Sequence, residues 1–206
     1  MKLKKMSLER LRAVYETQLQ QDFPPAERKP FSAMESLIKL ERYLPYEATD
    51  EDGSFLGYAL LWSSLPGTYV LLDYLGVRAD KRNGGLGGKI LALLQEEFDH
   101  WQGIIIESEA PDGGAEDALR LRRLDFYRRN GCKPMAYDAW LFGVHYKALL
   151  LSKPGAANEA AAKEAHRELY HHYFTPEQTA HFVRVPFDAE RDTAPEINWD
   201  EAGRLI

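Results

Sequence analysis

Tyr69-Val70-Leu71-Leu72-Asp73-Tyr74-Leu75-Gly76-Val77 is followed by Arg78-Ala79-Asp80-Lys81, by Arg82-Asn83-Gly84-Gly85-Leu86-Gly87-Gly88, and by Lys89-Ile90-Leu91-Ala92-Leu93-Leu94-Gln95-Glu96-Glu97-Phe98. The first run is apolar and rich in Val, Leu and Tyr, with Pro66-Gly67 before it, and it reads as a largely buried strand. In the last run Ile90, Leu91, Leu94 and Phe98 recur at helical spacing, so the glycine cluster joins a strand to the first turn of an amphipathic helix. A glycine pair ahead of a helix makes a turn and nothing more. Four glycines within five residues, preceded by Arg82, suit a backbone that approaches a ligand closely. Free N–H groups at a helix start, with the positive end of the helix dipole, favour an anion such as phosphate. Neither nucleotide pattern is met. Gly84, Gly85, Gly87 and Gly88 break the G-x-G-x-x-G spacing, and Gly88-Lys89 is followed by Ile90 rather than Ser or Thr.

A second motif lies downstream. The segment Glu116 to Asn130 reads as a helix that ends at Gly131, the residue type expected in a left-handed terminus. Leu121, Leu124 and Tyr127 form one apolar stripe on it, and Leu119 with Phe126 a second, which predicts burial on two sides. Its end is Phe126-Tyr127-Arg128-Arg129-Asn130-Gly131-Cys132.

Together the two motifs resemble those of the GNAT superfamily of N-acetyltransferases. Arg82-Asn83-Gly84-Gly85-Leu86-Gly87 is similar to the family's acyl-CoA loop, Gln/Arg-x-x-Gly-x-Gly/Ala, and Val77 to its strand-end valine. Phe126 to Cys132 resembles the Tyr-x-x-x-Gly-Phe element, with Cys132 where phenylalanine is usual. The resemblance runs to about residue 152. It implies an α/β fold: a splayed, mixed, mostly antiparallel sheet flanked by helices, here with a helical C-terminal extension. It also implies acetyl-CoA as co-substrate, held by Leu75, Gly76 and Val77 at the strand end and by Arg82, Asn83, Gly84, Gly85, Leu86, Gly87 and Gly88. The implied reaction is direct attack of a primary amine on the thioester in a ternary complex, with Tyr127 protonating the departing thiolate. The alternative is a module that binds acyl-CoA without turnover.

An attacking amine must lose a proton, and three carboxylates are candidate acceptors: Asp73, Glu107 and Glu109. Glu107 is the best placed in sequence, closing the strand Gly103-Ile104-Ile105-Ile106-Glu107-Ser108-Glu109, where partial burial would raise its pKa toward neutrality. Asp73 shares a face with Leu71 and Leu75 and reads equally as a buried structural acid. His166, His171 and His172 lack partners at ligand spacing and read as surface histidines, and no metal site is expected. Cys132 reads as a core thiol.

The remaining sequence sets the frame. With 206 residues, 45% hydrophobic and 28% charged, the chain suits one soluble domain. A formal charge of −6 argues against a nucleic-acid partner. No apolar run approaches a bilayer span, Met1 to Ser7 leads into no signal-like apolar region, and the single cysteine permits no internal disulfide, so a cytoplasmic protein is expected. Ser7 to Gln20 reads as a first helix. Ser32-Ala33-Met34-Glu35 has the form of a capping box that starts a second. Leu44 to Thr49 and Ser54 to Trp62 read as a hairpin turned at Asp52-Gly53, and Met135 to Phe142 with Tyr146 to Ser152 as another around Gly143. Lys153-Pro154-Gly155 separates residues 1–152, the acetyltransferase-like domain, from an extension over 153–206. In the extension, Asn158 to Tyr173 carries the stripe Ala162, Ala165, Leu169 and Tyr173, expected to cover Leu119 and Phe126 within one chain or across a homodimer. Thr175-Pro176-Glu177-Gln178 starts another helix, and an acidic, loosely docked tail is expected from Pro186 onward. The acceptor is left as a small-molecule or peptide amine.

Overall fold

The structure, a computed structural model, describes residues 1–64, 68–153 and 155–194. The expected breaks at Pro66-Gly67 and Pro154, and the tail beyond residue 194, lie outside the described residues. The chain divides into two compact units, the first of Met1–Ser63 with Leu72–Asp99 and the second of Ser64–Leu71 with His100–Ile206.

The first unit opens with β1 (Lys2–Lys5), which pairs antiparallel with β2 (Tyr43–Thr49). Sequence reading missed β1 because lysine at three of its four positions resembles a charged leader; on a sheet edge the same charges oppose unwanted pairing. Ser7 then caps α1 (Leu8–Val14) by accepting from Arg10 N–H at 3.2 Å. The helix continues through a π-helical stretch, Tyr15–Leu19, into α2 (Gln20–Asp22), and a 3₁₀ turn at Pro25–Glu27 follows. The expected capping box at Ser32 does not form. α3 (Phe31–Lys39) starts behind Pro30, which supplies no side-chain cap, so Ser32 already lies inside the helix. β2 and β3 (Phe55–Ser63) make the expected hairpin, with Gly53 left-handed at φ 84° in its turn. β4 (Tyr69–Val77) starts among residues of the second unit and ends in the first, where a 3₁₀ turn (Ala79–Lys81) and α4 (Leu86–Glu97) complete it.

In the second unit β5 (Gly103–Glu109) precedes α5 (Asp117–Arg129), which ends as expected at a left-handed Gly131. β6 (Lys133–Leu141) and β7 (Val144–Leu151) form a hairpin whose turn residues, Phe142 and Gly143, both have positive φ. Asn158 caps α6 (Glu159–Tyr173), and Thr175 with Gln178 forms the expected capping box of α7 (Pro176–Phe182). Among the described residues the extension continues past α7 into a strand. β8 (Val183–Phe187) pairs antiparallel with β6, so Pro186 and Phe187, read from sequence as tail, belong to the sheet.

The strand order is β1-β2-β3-β4-β5-β7-β6-β8, and β1–β2, β2–β3, β5–β7, β6–β7 and β6–β8 are antiparallel. This is the mixed, mostly antiparallel α/β class expected. The stripe on α6 is buried as read, at Ala162, Ala165 and Leu169, but its cover is not α5. α6 packs on β5 and β8. Leu119 and Leu121 of α5 stay about half exposed, so α5 buries one side, through Leu124 and Tyr127, instead of two.

Leu169 is fully enclosed in this packing. Leu169→Ala is expected to destabilise the protein by about 2–5 kcal/mol, the usual cost of a large-to-small change in a core, and to lower Tm in a thermal melt by several degrees. An unchanged Tm would mean that the extension is not part of the core.

Candidate active site

The glycine-rich loop belongs to the first unit. Asn83 and Gly85 take left-handed backbone, at φ 64° and 77°, which turns the chain sharply into α4. Gly85 is the N-cap and offers no side chain, so among the described residues no side-chain cap serves the first N–H groups of α4. α1, α6 and α7, by contrast, are capped by Ser7, Asn158 and Thr175. Lys89 N–H donates to Gly85 O at 3.2 Å and closes the first turn. The donors before it point out of the helix end toward an exposed loop, which is what an anion requires. A Cβ on Gly85 would meet nothing within 4 Å, so the space above the helix start is open.

Arg82, read as a ligand residue, has a structural task as well. Its Nε donates to Val77 O at 3.1 Å, and its Nη2 pairs with Asp22 at the end of α2. Tyr58 donates to the other oxygen of Asp22 at 2.9 Å. Burial first, then the Asp22 charge, raises the Tyr58 pKa far above its usual range, so this phenol remains a donor. Gly76, next to Val77, is required by the same arrangement: a Cβ there would lie 2.2 Å from the Tyr58 ring and 2.6 Å from Asp22 Oδ2. Leu75 and Val77 flank it, half-buried. Sequence reading named neither Asp22 nor Tyr58, since nothing local links residues that lie 36 apart or more.

In the second unit Tyr127 is buried near the end of α5, its ring edge-on to Phe126 at 5.1 Å. Burial pushes its pKa up to about 12, with the Arg123 charge pulling the other way. The phenol is therefore protonated throughout the neutral range. Among the described residues no hydrogen bond engages its hydroxyl. Cys132 N–H donates to Tyr127 O at 3.1 Å, and burial pushes the Cys132 thiol up to about 12, which suits a core thiol and not a nucleophile.

Glu107 is not a free strand-end carboxylate. His166 Nε2 lies 2.6 Å from its Oε1, and Tyr170 OH reaches both oxygens, at 2.8 and 3.0 Å. His166, read from sequence as a surface residue, is fully buried, and its Nδ1 meets Tyr137 OH at 3.0 Å. The one signal for it was its place on the apolar stripe of α6, between Ala162 and Leu169. Glu109 is likewise held by Arg120 at 3.1 Å and Arg123 at 3.6 Å. Asp73, in the first unit, lies 3.0 Å from the ammonium of Lys29.

No family model matches the chain. It is 34% identical over 115 residues to YjbC of Bacillus subtilis (strain 168), a protein provisionally assigned as an acetyltransferase; the match covers 56% of this chain and 54% of YjbC, about half the length of that relative. Among solved structures, a Bacteroides thetaiotaomicron protein provisionally assigned to the GNAT acetyltransferases superposes with a TM-score of 0.63 at 18% identity, over 79% of this chain and 93% of its own. Spermidine N-acetyltransferase of Vibrio cholerae, solved with CoA and spermine, superposes with a TM-score of 0.57 at 10% identity, over 76% of this chain and 97% of its own. Likeness at such low identity speaks to architecture, and on that ground the chain has the fold of the GNAT acetyltransferases.

Proposed function

We propose that the protein is an N-acetyltransferase that moves an acetyl group from acetyl-CoA to a primary amine by direct attack. The observation that supports this most is the start of α4: exposed N–H donors, no side-chain cap, and a left-handed Gly85 with open space above it. Such a site suits the diphosphate of CoA. The relatives support the same reading, since YjbC is provisionally assigned as an acetyltransferase and the Vibrio cholerae enzyme was solved with CoA and spermine.

In the reaction the amine nitrogen forms a bond to the acetyl carbon as the carbon–sulfur bond breaks. Tyr127 gives its proton to the departing sulfur, a role that suits a phenol kept protonated by burial. The amine's proton needs an acceptor. Glu107, favoured from sequence, already accepts from His166 and Tyr170, so its lone pairs are directed at α6. Asp73 is also partnered, by Lys29 and Tyr43, but Lys29 keeps some access to water whereas the His166 beside Glu107 is fully enclosed, and on that ground the role is assigned to Asp73.

Three measurements test the reading. Gly85→Val and Gly87→Val place bulk on the backbone cradle and are expected to abolish CoA binding in calorimetry; near-normal affinity in both would remove the loop from the site. Tyr127→Phe is expected to lower kcat by about 10²- to 10⁴-fold with CoA affinity little changed. Because the phenol titrates near 12, kcat in the unaltered enzyme should show no descending limb from Tyr127 between about pH 7 and 10. A fully active phenylalanine variant would take Tyr127 out of the mechanism.

A further inference from the structure

The connection between α2 and α3 is rich in proline and charge, yet one of its residues lies deep in the first unit. Lys29 Nζ is 3.0 Å from Asp73 Oδ2, 4.3 Å from the centroid of the Trp62 ring and 5.7 Å from that of Tyr43. Tyr43 OH donates to the same Asp73 oxygen at 2.5 Å. Carboxylate and aromatic faces together form a cage for a desolvated ammonium. The Lys29 and Asp73 side chains are only 16% and 11% exposed, so both are shielded while keeping some access to water.

The backbone of this segment is secured without that side chain. Lys29 N–H donates to Tyr74 Oη at 2.7 Å, Tyr74 OH donates to Glu27 O at 2.8 Å, and Tyr15 OH donates to Lys29 O at 3.2 Å. The ammonium can therefore leave the cage while the chain around it stays fixed. A lysine ammonium on its four-carbon stem is itself a primary alkylammonium, the chemical class of the acceptor proposed above.

We infer that Lys29 is an internal competitor for the acceptor: its ammonium occupies the cage of Asp73, Tyr43 and Trp62, and a primary alkylammonium acceptor enters by displacing it. This rests on the acetyl-transfer reading and adds to it a place for the acceptor nitrogen and a restraint built into the chain. Asp73 meets the incoming ammonium at the distance at which it now meets Lys29. The restraint has a scale. A site filled by its own lysine 90–99% of the time weakens apparent acceptor affinity by roughly 10- to 100-fold.

The test uses the full chain and n-butylammonium chloride as probe. Lys29→Ala is expected to bind n-butylammonium at least about tenfold more tightly than the unaltered protein in calorimetry, and to lower KM for n-butylamine by a similar factor. Adding Asp73→Asn to Lys29→Ala should abolish that binding. Lys29→Arg, which keeps a cation in the cage, should give much less relief. If Lys29→Ala melts as a misfolded protein, Lys29→Met carries the test, because it retains the apolar stem against Trp62. Equal or weaker n-butylammonium binding by the neutral variants would overturn the inference and make Lys29–Asp73 a structural ion pair. Absence of CoA release with any amine would instead refute acetyl transfer, and the calorimetric comparison would still decide whether Lys29 guards an ammonium site.

Discussion

No Cβ fits on Gly76: it would stand 2.2 Å from a ring carbon of Tyr58. Gly57 faces the same strand under the same restriction, since a Cβ there would lie 2.4 Å from Gly76 O. This close approach lets Tyr58 lie against the end of β4 and pass its hydroxyl to Asp22. Asp22 in turn holds Arg82, and Arg82 holds Val77 O. The glycine-rich loop is thus tied to the strand before it and to the end of α2. The N–H groups at the start of α4 are aimed by that tie, and their chemistry follows from the lack of a side-chain cap at Gly85. Further up the same strand, Asp73 and Tyr74 hold the side chain and the backbone of Lys29. One strand therefore organises both the proposed cofactor loop and the ammonium cage.

In the second unit the organising contact is between β5 and α6. Glu107 would be a costly charge to bury alone, and His166 with Tyr170 gives it three hydrogen bonds. Tyr137 satisfies the far nitrogen of His166, so the enclosed imidazole has a partner at each end. The extension is consequently fastened to the sheet by polar as well as apolar contacts, and β8 adds a strand beside β6.

What the sequence made legible, and what it hid, follows from the range of the interactions. The β4–loop–α4 unit was readable because its signals are local: an apolar run, a glycine cluster and a change from strand to helical period. The left-handed Gly53 and Gly131, and the capping box at Thr175, are local too. β1 was missed because its lysines hide a strand, and β8 because Pro186 interrupts an otherwise alternating run, Val183, Val185 and Phe187, and proline reads as the end of ordered structure. The capping box expected at Ser32 failed because Pro30 had already started the helix two residues earlier. Glu107 read as an available base because its partners arrive from 59 and 63 residues downstream, beyond any local pattern. Lys29 was invisible for the same reason: in a proline-rich connection a lysine reads as solvated, and only the fold brings it to Asp73, Tyr43 and Trp62.

On the proposed function, a bound acyl thioester is turned over by an amine. The most direct measurement of that turnover is the release of CoA thiol from acetyl-CoA across a panel of primary alkylamines, with mass detection of the acetylated amine. Thiol released in step with acetylated amine, with only a slow background in the absence of an acceptor, is the expected result. Tight acetyl-CoA binding with no acceptor-dependent release for any amine would contradict it, and would make the protein an acyl-CoA-binding module.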